Sequence, residues 1–177
     1  MAPLARFSGK NMYASHFYHA RWHYIEPIPS DYLERGSEGI EQFLDLLNVT
    51  SVAGFRGDWA RYCRSHPERY VQVFEHDATW LFTRRFPEAS FVARGSAQVT
   101  HTSYNDLRVT AQSDEVVLRF RYRPNLQVTP RGAATIEPEF AFVERVGRSS
   151  GAPFEFLKLH VSAAAVNQGT ELRISDN

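Results

Sequence analysis

The sequence has one cysteine, Cys63, in 177 residues, and it lacks net charge. One cysteine excludes an intramolecular disulfide and a zinc site built from several cysteines, and it suits a reducing compartment. The 20 basic residues balance 20 acidic residues, which removes the electrostatic footprint typical of nucleic-acid-binding and membrane-surface proteins. We therefore predict neither a nucleic-acid partner nor a membrane partner.

Long apolar runs are also missing. No segment approaches the roughly 18 consecutive apolar residues of a transmembrane helix. Residues 1–17 lack the apolar core of a secretory signal. The sequence therefore predicts a cytoplasmic protein.

Aromatic side chains, by contrast, are abundant. They make up 14% of the chain, and hydrophobic residues together make up 43%, which is enough for the core of one globular domain. We predict an N-terminal arm rich in aromatic residues and histidine (1–29), one folded domain (30–166) and a polar tail (167–177).

The first part of that domain shows helical periodicity. Apolar residues recur at helical spacing from Ile40 to Leu47 and predict an amphipathic helix that ends near Asn48. After a loop that contains Gly54, Asp58 is a good N-cap for a second helix. We expect that helix to be interrupted at His66-Pro67 and to resume through residues 70–74.

From about residue 78 the hydrophobic period changes to two, which indicates strands. Helices followed by an antiparallel meander predict an α+β fold, with helices packed on one face of a strongly curved, mostly antiparallel sheet. The predicted strands cover residues 79–83, 97–110, 116–123, 135–143 and 154–162.

Two of these strands carry complementary charges. Residues 116–123 place Arg119, Arg121 and Arg123 on one face, and residues 135–143 place Glu137 and Glu139 opposite an apolar face. Pairing of the two strands would form an Arg/Glu ladder. One interpretation of the ladder is a face exposed to solvent or in contact with a second subunit, and the second case would give a homodimer through the sheet face. The other interpretation is that the Glu139 side chain points into a cavity.

His101 is the most informative polar residue of the predicted strand 97–110. It has the same parity as Val99, Leu107 and Val109, so it lies in phase with apolar residues. A partly buried histidine beside a carboxylate can act as a general acid or base. The alternative is a core histidine whose hydrogen bonds are satisfied.

The sequence gives less support for a metal site or for a cysteine nucleophile. His16, His19 and His23 lie at i, i+3 and i+7, but the aromatic residues between them make packing the simpler role. Cys63 lies at an apolar phase of its helix, which is typical of a buried structural thiol. We therefore predict no metal site and no cysteine nucleophile.

Short motifs in this chain resemble the nuclear-transport-factor-2-like superfamily. Asp58-Trp59 and residues 70–82, which include Asp77-Ala78, resemble its helix-to-first-strand passage. His101-x-x-x-Asn105 is similar to the His-x-x-x-Asn strand of the SnoaL-like cyclases and scytalone-dehydratase-like enzymes. Residues 153–159 are similar to the last strand of those families.

The resemblance covers about residues 58–162. It implies a cone-shaped α+β barrel around an apolar pocket, with no metal or organic cofactor. His101 matches the acid–base histidine of the dehydratase group, and Asn105 matches a position that contacts substrate or neighbouring backbone. The family's catalytic tyrosine on the first strand aligns approximately with Thr83 in this chain. Residues 123–126 stand where the family has its second histidine. The scytalone reaction itself is therefore not supported.

These observations lead to a functional hypothesis. The protein would be a cofactor-independent lyase, cyclase or isomerase that acts by general acid–base catalysis on a hydrophobic, carbonyl-bearing small molecule of polyketide or terpenoid type, as in secondary metabolism. His101 would move the proton, and Glu139 or Asp77 would orient it or balance its charge. The alternative for Asp77, and the simpler one, is that it caps a turn. The predicted substrate-binding positions are Trp80, Asn105, Tyr122 and Phe140.

A second hypothesis keeps the same fold without catalysis. The chain would then be a small-molecule-binding or dimerisation module, and the pocket would be filled or absent. A third, a lipid-binding or pigment-binding barrel, needs more strands than the sequence shows.

Overall fold

The computed structural model of this chain describes residues 28–55, 58–85, 90–102, 106–146 and 149–176. It combines short helices with antiparallel sheets, as predicted. The described helices are α1 (Ser30–Leu33), α2 (Gly36–Leu46), α3 (Asp58–Ser65) and α4 (Ala163–Gln168). The described strands are β1 (Ser51–Phe55), β2 (Tyr70–His76), β3 (Thr79–Arg84), β4 (Val92–Arg94), β5 (Ala97–Thr102), β6 (Asp106–Ala111), β7 (Glu115–Arg121), β8 (Leu126–Thr129), β9 (Ala134–Val146), β10 (Ser149–Val161) and β11 (Glu171–Asp176).

The chain divides into two compact units. We call residues 1–40 with 91–177 the sandwich unit, and residues 41–90 the helix–sheet unit. Within the described residues, no helix is long and apolar enough to cross a membrane.

Two four-stranded antiparallel sheets form the sandwich unit, in the orders β4-β7-β10-β9 and β5-β6-β11-β8. Apolar side chains from both sheets meet in one core between them. Val117 and Phe156 are buried outside that core, so β7 and β10 carry buried side chains on both faces. As far as the chain is described, neither sheet closes into a barrel. The core is built from Leu107, Val109, Ala111, Val116, Leu118, Ala133, Leu157, Leu159, Val161, Ala165, Leu172 and Ile174.

The helix–sheet unit has one three-stranded sheet of order β1-β3-β2. Trp80 and Phe82 of β3 are buried, and their rings lie 5.8 Å apart. Gly54 of β1 pairs with Trp80, and a Cβ at that glycine would lie 2.6 Å from the indole ring. Glycine at this position therefore lets the indole lie directly against the backbone of β1.

Several predicted elements are wrong in the helix–sheet unit. Residues 70–74 belong to strand β2 and not to a resumed helix, because α3 ends at Ser65, before Pro67, and is not continued. The apolar, β-branched composition of residues 70–74 suits a strand as well as a helix. The loop that was expected around Gly54 is strand β1.

The sandwich unit also differs from the prediction. Residues 97–110 form two strands, β5 and β6, that pair antiparallel with each other. The predicted polar tail contains β11, which lies between β6 and β8 with Leu172 and Ile174 buried. This strand is central because those two apolar residues alternate correctly for the sandwich core, although the residues around them are polar.

Helix α4, which joins β10 to β11, has a side-chain cap that can be tested. The Ser162 hydroxyl accepts a hydrogen bond from the backbone N–H of Ala165 at 3.2 Å. We expect Ser162→Ala to lower the free energy of unfolding by about 1 kcal/mol, because one helix donor loses its partner. Urea unfolding measures this loss, and Ser30→Ala, at an exposed site, is the control. Equal stabilities of the two variants would contradict the capping role.

Candidate functional site

A buried polar cluster, which we call the Glu41 cluster, lies in the helix–sheet unit. Glu41 of α2 is 9% exposed. Tyr62 of α3 donates to its Oε1 at 3.0 Å, and the Tyr70 hydroxyl of β2 donates to the same oxygen. Arg84 of β3 donates from Nη2 to Oε2 at 2.9 Å. One carboxylate therefore joins two helices and two strands.

Arg84 is held from three directions. It is 7% exposed. Besides Glu41, its Nη2 lies 2.7 Å from Asp45 Oδ1, and its Nη1 donates to the Val49 carbonyl at 3.1 Å. Burial acts to lower the pKa of Arg84, but hydrogen bonds and charge from Asp45 and Glu41 outweigh it and raise that pKa. The guanidinium stays charged and fixed.

The two tyrosines of the cluster act as hydrogen-bond donors. Burial raises the pKa of Tyr62 and of Tyr70, and the charge of Glu41 and the hydrogen bond to it raise both further. Both hydroxyls therefore keep their protons at neutral pH. The two tyrosines therefore hold Glu41 in place as a hydrogen-bond acceptor, and neither tyrosine gives up its proton.

A small cleft opens on this cluster. Its volume is about 210 Å³, and Glu41, Asp45, Arg69 and Arg84 line it; we call it the Glu41 cleft. Arg69 is half-exposed, and its nearest carboxylate oxygens, on Glu68 and Glu41, are 3.7 and 3.9 Å away. Those distances are too long for hydrogen bonds. The cleft thus combines a fixed ion pair with a guanidinium that still has hydrogen-bonding capacity.

Cys63 provides a chemical probe of the helix–sheet unit. It is buried, as the sequence predicts, and burial followed by the charge of Glu41 raises its pKa to about 12. We expect a disulfide reagent at pH 8 to label native Cys63 at least about 100-fold more slowly than unfolded Cys63, because labelling requires opening of the unit. Absorbance of the released thiolate measures both rates. Comparable rates would contradict this burial.

His101 and Asn105 were predicted to share one strand with Leu107 and Val109. The backbone places His101 in β5 in register with Arg108, and a register shift falls between Val99 and His101. The prediction that His101 lies on the same face as Leu107 and Val109 assumed one continuous strand. Residues 97–102 and 106–111 are instead two strands that pair with each other, so the prediction loses its basis. Asn105 and the His101 side chain lie outside the described residues.

Glu139 lies in a charged network on the sandwich unit. Arg94 donates to it at 2.9 Å. The predicted ladder between β7 and β9 is wrong, because β10 lies between those strands. Lys158 and His160 of β10 instead hydrogen-bond Glu137, and these bonds hold the pKa of Glu137 at about 2. A homodimer contact through this face stays a prediction.

The other predicted positions have different surroundings. Asp77 is 86% exposed in the turn between β2 and β3, where its φ of 52° fits the turn interpretation. Trp80 packs in the core of the helix–sheet unit. Tyr122 packs against the sandwich core, whereas Phe140 is 63% exposed.

A metal site finds no donor set in the described part of the chain. No group of three or more His, Cys, Asp or Glu side chains there could hold an ion. His16, His19 and His23 lie outside that part, as does the rest of the predicted arm up to residue 27.

Sequence reasoning missed the Glu41 cluster, although two signals were present. Arg84 has the same strand parity as Trp80 and Phe82, both of which are buried. Glu41 lies three residues before buried Leu44 on one helix, so the two share a face. When a helix and a strand each carry a charged residue on the face of their core residues, and the two charges are opposite, the two residues are candidates for a buried ion pair.

Comparison with protein-family models, with curated proteins and with solved structures finds no match for this chain. The resemblance to the nuclear-transport-factor-2-like superfamily therefore stays a prediction from short motifs.

Proposed function

We propose that this protein is a small-molecule-binding module that holds a small polar ligand in the Glu41 cleft and performs no chemistry on it. The observation that carries the proposal is the cleft itself. Four charged side chains line it, and two of them, Glu41 and Arg84, are buried and locked by hydrogen bonds. Fixed charges around a concave space bind a polar ligand with little loss of side-chain freedom.

The protonation states of the cluster favour binding over catalysis. The raised pKa values of Tyr62 and Tyr70 keep both hydroxyls protonated. Both oxygens of Glu41 already accept hydrogen bonds from protein groups, three in all, so they are engaged in holding the cluster together. Cys63 is buried and is not placed to attack a ligand.

The lyase, cyclase or isomerase hypothesis, with its cone-shaped pocket, stays a prediction. It needs a carboxylate beside His101. Of the two candidates, Glu139 is ion-paired with Arg94 and Asp77 lies on an exposed turn. This geometry supports the catalytic hypothesis less than the binding hypothesis.

A ligand screen read out at Cys63 tests the proposal. A ligand that binds only the folded helix–sheet unit slows Cys63 labelling by the factor 1 + [L]/Kd. Small carboxylates, amines, amino acids and sugars are screened at millimolar concentration. We expect at least one class to slow labelling of the wild type and of Arg131→Gln, which alters an exposed arginine elsewhere. The proposal fails if no class slows labelling.

A further inference from the structure

The half-exposed residues of the Glu41 cleft have unused hydrogen-bonding capacity of opposite kinds. Asp45 contacts Arg84 through Oδ1, and no described group donates a hydrogen bond to its Oδ2. No described group accepts a hydrogen bond from the Arg69 guanidinium, whose closest carboxylate oxygen is 3.7 Å away. The cleft therefore offers an acceptor oxygen on Asp45 and guanidinium donors on Arg69 that the described groups leave without hydrogen bonds, although both side chains have ion-pair neighbours.

The balance of charge in the cleft disfavours ligands of one sign. Two carboxylates, Glu41 and Asp45, face two guanidiniums, Arg69 and Arg84, so the formal charges of the lining cancel. A simple anion would pair with Arg69 but would meet the two carboxylates. A simple cation would pair with Asp45 but would meet the two guanidiniums. A ligand that carries both charges gains both interactions.

The small volume of the cleft favours a compact ligand. Its 210 Å³ lies below the roughly 300–1,000 Å³ of pockets that bury drug-sized molecules. Alanine and serine are ligands of the smaller kind.

From these observations we infer that the Glu41 cleft recognises a small zwitterion of the amino-acid class, whose carboxylate pairs with Arg69 and whose ammonium group pairs with Asp45. This inference rests on the proposed function, because it names the ligand class of the same cleft. Glu41 and Arg84 form the fixed pair that supports the two contacting side chains.

Calorimetric titration with alanine, glycine, serine, acetate and ethylamine tests the inference. We expect alanine to bind at least about tenfold more tightly than acetate, which carries only the anion, or ethylamine, which carries only the cation. Acetate or ethylamine binding as tightly as alanine would overturn the zwitterion inference and leave the proposed function standing. The inference also fails if glycine, alanine and serine all leave the protein unbound, whatever other ligand the Cys63 screen detects.

Variants of the two contacting residues provide a second readout. Arg69→Gln and Asp45→Asn are each expected to weaken alanine binding by about tenfold or more, because each removes one charge-assisted contact. Urea unfolding of both variants checks that the cleft is intact, since Asp45 also contacts Arg84. Arg131→Gln is the matched control and should bind alanine like the wild type. Unchanged alanine affinity in a folded Arg69→Gln variant contradicts the assigned contact.

Discussion

Replacing Glu41 by leucine is expected to lower the free energy of unfolding of the helix–sheet unit by about 3–5 kcal/mol. The substitution leaves the buried Arg84 guanidinium with one carboxylate partner instead of two. It also removes the acceptor of the Tyr62 and Tyr70 hydroxyls. Tryptophan fluorescence during urea unfolding measures the loss, because Trp59 and Trp80 both lie in this unit.

A matched control and a double variant make this prediction specific. Glu68→Gln alters an exposed carboxylate of the same unit and should change stability by less than about 0.5 kcal/mol. Glu41→Leu combined with Arg84→Met should cost less than the sum of the single substitutions, because it removes both buried charges together. A loss below about 1 kcal/mol for Glu41→Leu would mean that the cluster is not a stabilising element.

The second large effect concerns the sandwich core. Leu159 of β10 is 0% exposed and packs among side chains from both sheets. Leu159→Ala is expected to cost about 2–5 kcal/mol, because it removes buried methyl groups and leaves a cavity between the sheets. Far-UV circular dichroism during urea unfolding measures the change. Val143→Ala, which trims a side chain that is 41% exposed, should cost less than about 0.5 kcal/mol. Similar losses for the two variants would contradict the assigned core.

Local patterns in the sequence predict only part of this fold. The alternation within residues 116–123 and 135–143 correctly indicates strands at β7 and β9. It does not predict burial as well, because Val117 on the charged face of β7 is buried and Phe140 on the apolar face of β9 is exposed. It does not reveal that β10 separates them, since strand order depends on contacts between distant residues. The tail shows the same limit, because β11 is short and its burial depends on pairing with β6 and β8.

The candidate site was harder to predict than the strands. Glu139 has its partner Arg94 45 residues away, and no spacing rule connects them. Glu41 and Arg84 are 43 residues apart and come from a helix and a strand. Each is recognisable alone as a charge in an apolar phase, but only the folded chain brings them together. The predicted role of His101 depended instead on one continuous strand, which the β5–β6 pairing interrupts.

The most direct test of this account is nuclear magnetic resonance mapping of alanine on the ¹⁵N-labelled protein. If the Glu41 cleft binds the ligand, the amide shifts that change on titration will cluster at residues 41–49, 69–70 and 84–85. They will be lost in Arg69→Gln and retained in Arg131→Gln. Shift changes that concentrate around His101 and β6, or that persist unchanged in Arg69→Gln, would contradict it.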